Sequence, residues 1–573
     1  MSGSRRLGLA ADRVTLLVMD EAAARRAVLG YHRRSEHTAG GYARSLGYLD
    51  WASQPDPFRR YLGCRLTPLE HPGPADSPLW SALRHPRSLA CCEVSSGSIS
   101  RFLYDSLSLS AWKQAGDSRW SLRVNPSSGN LHPTESYLIC PPVEGICVGP
   151  ALLHYDPSGH ALEQRRLLAA GVWESLGAGQ DGILFLVGLT SIYWREAWKY
   201  GERAFRYCQL DVGHALGCLA VSAAALGWNS RLVEPLPTEM LERLLGTSGL
   251  TGPEAEHAEC LVAIRAGRPE PLPADRSLSI RTQAVPIFPD DLVGTPNELS
   301  SRHVEWPVID EIAAATEQFP GPASRFPEVS GGEPEAPGDG TTTQARAGWT
   351  VRSLVRQRRS ALAMDGVTSL PRNGFLEILN RCAPAGGHPA NRQLPWNPVV
   401  SMACFVHRVE DLEPGLYLLL RERDGLETYR RRLDPAFLWE KVGGSDDDLG
   451  LYLLRSGDYR EKARLAACGQ EIASDGVASF AMIGDLPSHI ERYGAWFYRR
   501  LFWEAGLLGQ ILYLEAEAAG VRGTGIGCFF DDLTRNLLGV RERGLECFYH
   551  FTLGGAVDDP RLQSLPAYGH LSD

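Results

Sequence analysis

One stretch of this chain occurs twice. Residues 199–228, KYGERAFRYCQLDVGHALGCLAVSAAALGW, and residues 492–521, RYGAWFYRRLFWEAGLLGQILYLEAEAAGV, superpose without a gap at an offset of 293 residues. Tyr200 matches Tyr493, Gly201 matches Gly494, Arg206 matches Arg499, Gly213 matches Gly506 and Gly227 matches Gly520. Small and apolar residues recur at helical spacing, and each copy ends in a glycine suited to the position just past a helix. Each copy is therefore expected to be a long, buried helix with few large side chains, packed closely on its neighbours. Two like helices in a chain of 573 residues, too long for one core, imply two like domains. Two like domains in one chain imply an internal pseudo-dimer, the covalent version of a two-fold interface.

Between the halves the composition changes. FPGPASRFPEVSGGEPEAPGDGTTTQARAG, residues 319–348, is rich in Pro, Gly and Thr and reads as a flexible linker. Just before it, EWPVIDEIAAATEQ has the pattern of a short amphipathic helix that packs onto a domain. The expected division is 15–275 for the first domain, 276–348 for a connector and 349–573 for the second. Strand-like runs (ESYLIC, GILFLVGLT, ECLVAIRAG; later VVSMACFV, GLYLLL, VASFAMIG, CFYHFTLGG) alternate with helical stretches, so each half is α+β or mixed α/β. A second echo, HRRSEH at 32–37 and QRRSAL at 357–362, begins the two halves with the same Arg-Arg-Ser.

Several function classes are set aside. A net charge of −10 argues against nucleic acid as the main partner, because phosphate binding wants a basic face. No apolar run reaches the length of a membrane span, and the apolar patch at Thr15–Met19 is followed at once by Asp20 and Glu21, unlike a secretory signal. Thirteen scattered cysteines without C-x-x-C or zinc spacing read as reduced thiols, hence an expected cytoplasmic location and no metal site. The G-x-G-x-G in RGTGIGCFF follows a helical segment rather than opening one, so a Rossmann reading fails.

What remains is RVNPSSGNLHPTESYLI, residues 123–139. Pro126, Ser127, Ser128, Gly129 and Asn130 are turn formers just ahead of an apolar strand. They suit an ordinary turn first, and also a loop that lets backbone approach a flat polar ligand. His132 and His214 read as structural histidines.

This loop, LLHYDPSGHALE (152–163) and WKYGERAFRY (198–207) resemble the SagB-type and thiazoline-oxidase dehydrogenases of the nitroreductase superfamily. The second half resembles the same superfamily in RQRRSALAMDG (356–366), VHRVEDLEPGLYLL (406–419), GIGCFFDD (525–532) and LGGAVDDPRLQSLP (553–566). The resemblance implies an α+β fold of two tandem nitroreductase-like domains, with FMN at their interface. It also implies a split site. The second domain supplies Arg358, Arg359, Ser360, the turn Gly525, Ile526, Gly527, Cys528 and Phe529, and the late basic residue Arg561. The first domain supplies Arg123 and the loop Pro126–Asn130. The reciprocal site is expected to be eroded, since NSRLVEPLP and APAGGHPANRQLPWNP stand where the glycine turn and the Pro-Ser-Ser loop belong. Lys199 and Tyr200 match the Lys-Tyr pair that the azoline dehydrogenases use in catalysis; in the second half the pair is Arg492 and Tyr493, and arginine is no base at neutral pH. The implied substrate is a small molecule or a modified peptide, with no nucleic acid or membrane partner. Three readings stay open: a dehydrogenase of C–N or C–C bonds, an NAD(P)H-consuming nitro or quinone reductase, and a flavin-free binding scaffold.

Overall fold

The repeated stretches form two helices of 22 residues each, Ala204–Ala225 and Phe497–Ala518. The computed structural model describes residues 19–84, 89–169, 171–176, 182–233, 236–266, 291–317, 348–422, 425–443, 449–541 and 544–571. The expected linker, 319–348, lies outside the described residues except for its last one.

Helix α1 spans Glu21–Arg34, α2 Tyr193–Tyr200, α3 Ala204–Ala225, α4 Val351–Gln357 and α5 Phe497–Ala518. Gly201, at φ +55°, breaks α2 from α3, and a side chain there would strike the Arg44 carbonyl. From Tyr193 to Ala225 the segment is apolar enough to cross a membrane by length and composition, but 94% of its most apolar window is buried inside the protein. It is a core helix. α3 and α5 end alike. Gly227 (φ +68°) and Gly520 (φ +82°) take the left-handed position after the helix. Beyond them the Trp228 and Val521 amides return to the Ala223 and Ala516 carbonyls at 2.9 and 3.0 Å, closing Schellman motifs.

α3 and α5 cross where the repeat places its matched glycines. A Cβ on Gly213 would lie 2.3 Å from the Trp503 carbonyl, and one on Gly506 would lie 2.1 Å from the Leu210 carbonyl. Backbones meet there because neither residue has a side chain. The matched arginines also act reciprocally. Arg206 of α3 reaches into the second half to pair with Asp531 at 3.0 Å, and Arg499 of α5 reaches into the first half to pair with Glu259 at 2.7 Å.

Each half carries a seven-stranded antiparallel sheet. The first consists of β1 (Arg65–Pro68), β2 (Thr134–Cys140), β3 (Ala151–Asp156), β4 (Ala161–Leu167), β5 (Ile183–Ser191), β6 (Asn229–Leu232) and β7 (His257–Arg265), in the order β1-β4-β3-β2-β5-β7-β6. The second consists of β8 (Ser401–Val406), β9 (Gly415–Leu419), β10 (Glu440–Lys441), β11 (Leu451–Ser456), β12 (Ala478–Asp485), β13 (Arg522–Ile526) and β14 (Leu545–Gly554), in the order β10-β11-β9-β8-β12-β14-β13. Without the edge strands β1 and β10 the two orders are the same permutation. The halves are thus two copies of one α+β fold, and the central strands are buried along their whole length.

Arms are exchanged between the halves. Gln563–Leu565 pairs with the hairpin strand Leu109–Ala115, and Trp112 Nε1 donates to the Ala567 carbonyl at 2.8 Å. In the other direction the His37 amide donates to Asp531 at 3.0 Å, and the Asp531 amide returns a bond to the His37 carbonyl at 2.8 Å. The helix expected before the linker is present as Pro307–Ala315; its Ala313 carbonyl accepts from Arg499.

The Arg-Arg-Ser echo does not mark equivalent places. α1, which precedes Ser35, packs its Tyr31 on Phe205 and Tyr498, at the N-terminal ends of both long helices. α4, which precedes Ser360, packs Val351, Leu354 and Val355 among Cys218, Val221, Leu514 and Ala518, at the C-terminal ends. A three-residue motif has no periodicity to fix its place in a fold, and here it recurs without the structure around it.

Candidate functional site

The loop after the strand Ser118–Arg123 runs along the boundary of the halves. Gly129, Asn130 and His132 all have positive φ (59°, 61° and 53°), a costly run for the two non-glycine residues. Side chains hold it. Asn130 donates to the Ser121 carbonyl at 2.7 Å, Asn130 Oδ1 and His132 Nε2 are 2.9 Å apart, and the His132 amide donates to Ser127 Oγ at 2.8 Å. Burial, with Arg123 and Arg195 nearby, holds His132 well below the usual imidazole range, so it is a neutral strut. His214 is another: burial lowers it to about 3, and it lies 3.1 Å from the Tyr549 hydroxyl and 3.2 Å from Gln510 Oε1.

Lys199 and Tyr200, at the end of α2, converge on this loop. A Cβ on Gly129 would lie 2.5 Å from the Tyr200 hydroxyl and 3.1 Å from Lys199 Nζ. The Tyr200 ring meets Tyr207 edge-on at 4.5 Å, and the Tyr207 hydroxyl donates to the Gly527 carbonyl at 3.0 Å. The Lys-Tyr pair, the Pro126–Asn130 loop and the Gly525–Phe529 turn are therefore one cluster spanning both halves. Tyrosines line it: Tyr207 packs against Gly527, and the Tyr549 hydroxyl lies where any side chain at 525 would sit. Within the turn, Ile526 is buried, the Cys528 carbonyl accepts from Gln470 at 2.9 Å, and Phe529 stacks on His550 at 4.5 Å.

At the other end stand Arg358, Arg359 and Ser360. Ser360 shares a hydrogen bond with Tyr513 (2.8 Å), and the same hydroxyl accepts from the Gly525 amide at 2.9 Å. Arg358 is 4% exposed, lies over the Tyr513 ring at 4.9 Å and donates to the Arg123 carbonyl at 3.3 Å. Its Nε is buried with no hydrogen-bond partner. Arg359 donates to the Arg356 and Arg358 carbonyls at 2.7 Å, and burial together with Arg358 and Arg356 lowers it to about 10. Glu517 faces this cluster and accepts from the Arg359 amide at 3.4 Å, yet Arg358 still keeps a buried donor that an anion would fill.

Two expected residues stand apart. The Arg123 guanidinium turns into the first half, over Phe58 and onto the Thr134 and Pro57 carbonyls; only its backbone carbonyl meets Arg358. Arg561 has an 85% exposed side chain and is forked onto Asp559, two residues before it. The first-half Arg-Arg-Ser is spent internally: Arg34 forks onto Glu202 at 2.7 Å, and Ser35 Oγ accepts from Arg206 at 2.8 Å.

Sequence reasoning missed two acids. Glu196 of α2 and Asp211 of α3 are fully buried behind the loop. Asp211 accepts from the Ser128 amide at 3.1 Å and from Ser128 Oγ at 3.2 Å, and Glu196 accepts from Ser127 Oγ at 3.4 Å. Spacing signals only the second: Asp211 falls four residues after Tyr207, on the same face of α3. His32, Glu36 and Glu546 form a buried cluster of metal-ligand types, but Arg535 pairs with both carboxylates at 2.6–3.1 Å and supplies the positive charge.

The residues fit a flat ligand with a phosphate tail. The unpartnered Arg358 Nε meets the anion's need, and Tyr200, Tyr207 and Tyr549, which lie on Gly129, Gly527 and Gly525, form the aromatic wall for the ring. No protein-family model and no curated protein matches the chain. Among solved structures it is similar to a protein named as a nitroreductase from Anabaena variabilis, with 22% identity over 93% of this chain and 99% of that one, at a TM-score of 0.64. One named as a nitroreductase from Ralstonia eutropha covers 39% of this chain and 97% of its own (16% identity, TM-score 0.27). Another, from Exiguobacterium sibiricum and in complex with FMN, covers 36% and 88% (15% identity, TM-score 0.21). The fold is nitroreductase-like.

Proposed function

We propose that this chain is an FMN-dependent oxidoreductase of the SagB type, removing hydride from a C–N or C–C bond of a small molecule or a modified peptide, as in azoline to azole. The observation that carries this reading is the buried Arg358 with its unpartnered Nε. It stands at one end of a tyrosine-lined boundary whose other end is the Lys199–Tyr200 pair on Gly129. Arg358, Arg359 and Ser360 would hold the FMN phosphate. The loop Pro126–Asn130 and the turn Gly525–Phe529 would flank the ring. Bound FMN supplies a hydride acceptor.

The remaining chemistry belongs to the chain. Removing hydride from one atom of a C–N or C–C bond obliges the other to lose a proton. Lys199 is the base placed to take it. Burial and the nearby Glu196 carboxyl raise the Tyr200 hydroxyl well above its usual range, so it stays protonated and serves as a donor that orients the ligand. The boundary excludes bulk water through Tyr207 and Tyr549, both buried.

The test is the amount of flavin. Protein reconstituted with FMN and freed of excess should release close to one FMN per chain by absorbance, because the first-half Arg34 and Ser35 are already engaged. Two per chain would refute the single site. A protein that stays colourless would favour a binding scaffold, and rapid bleaching by NAD(P)H in stopped flow would favour the reductase.

A further inference from the structure

Glu196 and Asp211 lie behind the ligand-facing loop, and neither forms an ion pair among the described residues. The two acids come from successive helices and reach neighbouring residues of one loop. Ser127 and Ser128, the hydroxyl residues of the loop, are the groups that touch them. Glu196 keeps one carboxyl oxygen, Oε2, buried with no hydrogen-bond partner. A carboxylate in that position carries an uncompensated charge, which a buried site does not tolerate. Two such charges within electrostatic reach of each other are worse, and one proton held by the pair removes one of them. The other titratable groups facing the pair are Lys199 and Tyr200 on α2, Cys208 on α3 and Tyr549 on β14. Of these only Lys199 is a basic side chain.

We propose that Glu196 and Asp211 are the proton store of the site: they share one proton between them and take up a second through the Ser127 and Ser128 hydroxyls when a ligand on the other side of the loop loses it. The proposal rests on the flavin reading for the identity of that ligand, and on the geometry above for the store. A dehydrogenation releases one hydride and one proton; the hydride leaves to the flavin, and the proton, taken first by Lys199, passes by way of the serine hydroxyls to the pair, whose charge goes from −1 to 0. When the pair returns the proton to solvent it is ready again. Glu196 and Asp211 act through the serines and Lys199, so they are positioning residues.

Burial sets where the store operates. It raises Asp211 to about 7 against the opposing Ser127 and Ser128 hydrogen bonds, and raises Glu196 well above its usual value with Asp211 as the second cause. Near neutral pH the pair thus changes between one proton and two.

Infrared difference spectroscopy of the full chain, with and without FMN, reads this directly through the carbonyl stretch of protonated carboxyl groups. The native protein should gain such a band as pH falls through about 7, and Asp211→Asn should lose that titrating part. Glu196→Gln should lose the band that persists at pH 8, giving a second variant should the first fold poorly. The FMN-to-protein ratio is measured on the same samples. A yellow protein whose carboxyl bands are unchanged in both variants overturns the store and leaves the flavin reading standing. A colourless protein with the two bands and their expected losses supports the store and overturns the flavin reading.

Discussion

Arg358 and Arg33 are a single residue type placed in two environments. Arg358 is buried at the boundary with an idle donor, whereas Arg33 is exposed on α1, at the far end of the helix pair. Arg358→Ala should weaken FMN binding by about 1.5–3 kcal/mol, the range for a charge-assisted hydrogen bond, as measured by quenching of FMN fluorescence. Arg33→Ala should leave it unchanged. Equal affinity in both variants would place the phosphate elsewhere. The motifs pointed to Arg358, Ser360 and Gly525 together, and in the structure all three meet at Tyr513. The sequence could not foresee that Arg561 would be claimed by Asp559, since a basic residue near a chain end looks alike whether paired or free. Glu196 was hidden for a related reason. A carboxylate on an amphipathic helix is usually solvated, and only the packing of a second helix and a distant loop buries this one.

Among elements, the long helices were the most legible part of the chain. A 30-residue gapless repeat announced both helices and their terminal glycines, whereas the break before each helix and the contact of Gly213 with Gly506 are seen only in the structure. The two glycines give opposite expectations from a glycine elsewhere. Gly30, in α1, has nothing within 4 Å of an added Cβ and no positive φ. Gly30→Ala should therefore stabilise the protein by about 0.5–1 kcal/mol, the gain from helix propensity and a less flexible unfolded chain. Gly213→Ala gains the same propensity but drives its methyl to 2.3 Å from the Trp503 carbonyl, which is backbone and cannot rotate away. Overpacking of this kind costs about 1–3 kcal/mol, so the sign reverses. Urea denaturation of the two variants measures both. Stabilisation by Gly213→Ala would mean that the crossing is looser than its distances state. The Arg-Arg-Ser echo failed at this same scale, because three residues cannot specify an element.

The whole molecule is held by an interface that neither half can do without. α3 and α5 are buried on all sides, each half's matched arginine finds its carboxylate in the other, and an arm crosses in each direction. Separating the halves would expose those apolar helices and strand Asp531 and Glu259 without their cations. Breaking a buried pair in this way costs about 3–5 kcal/mol. The chain should consequently unfold in one transition, with tryptophan fluorescence and circular dichroism tracing the same curve. A substitution in the C-terminal arm tests whether the coupling is real. Tyr568 is buried against the first half, where its hydroxyl donates to the Pro157 carbonyl at 3.1 Å and accepts from the Leu109 amide at 3.2 Å. Tyr568→Ala should lower stability by about 3–5 kcal/mol, as for a truncated core aromatic. In a coupled molecule that loss displaces both probes together. If the arm were only a strap, fluorescence and circular dichroism would instead separate into two transitions, the first moved by the substitution and the second left in place.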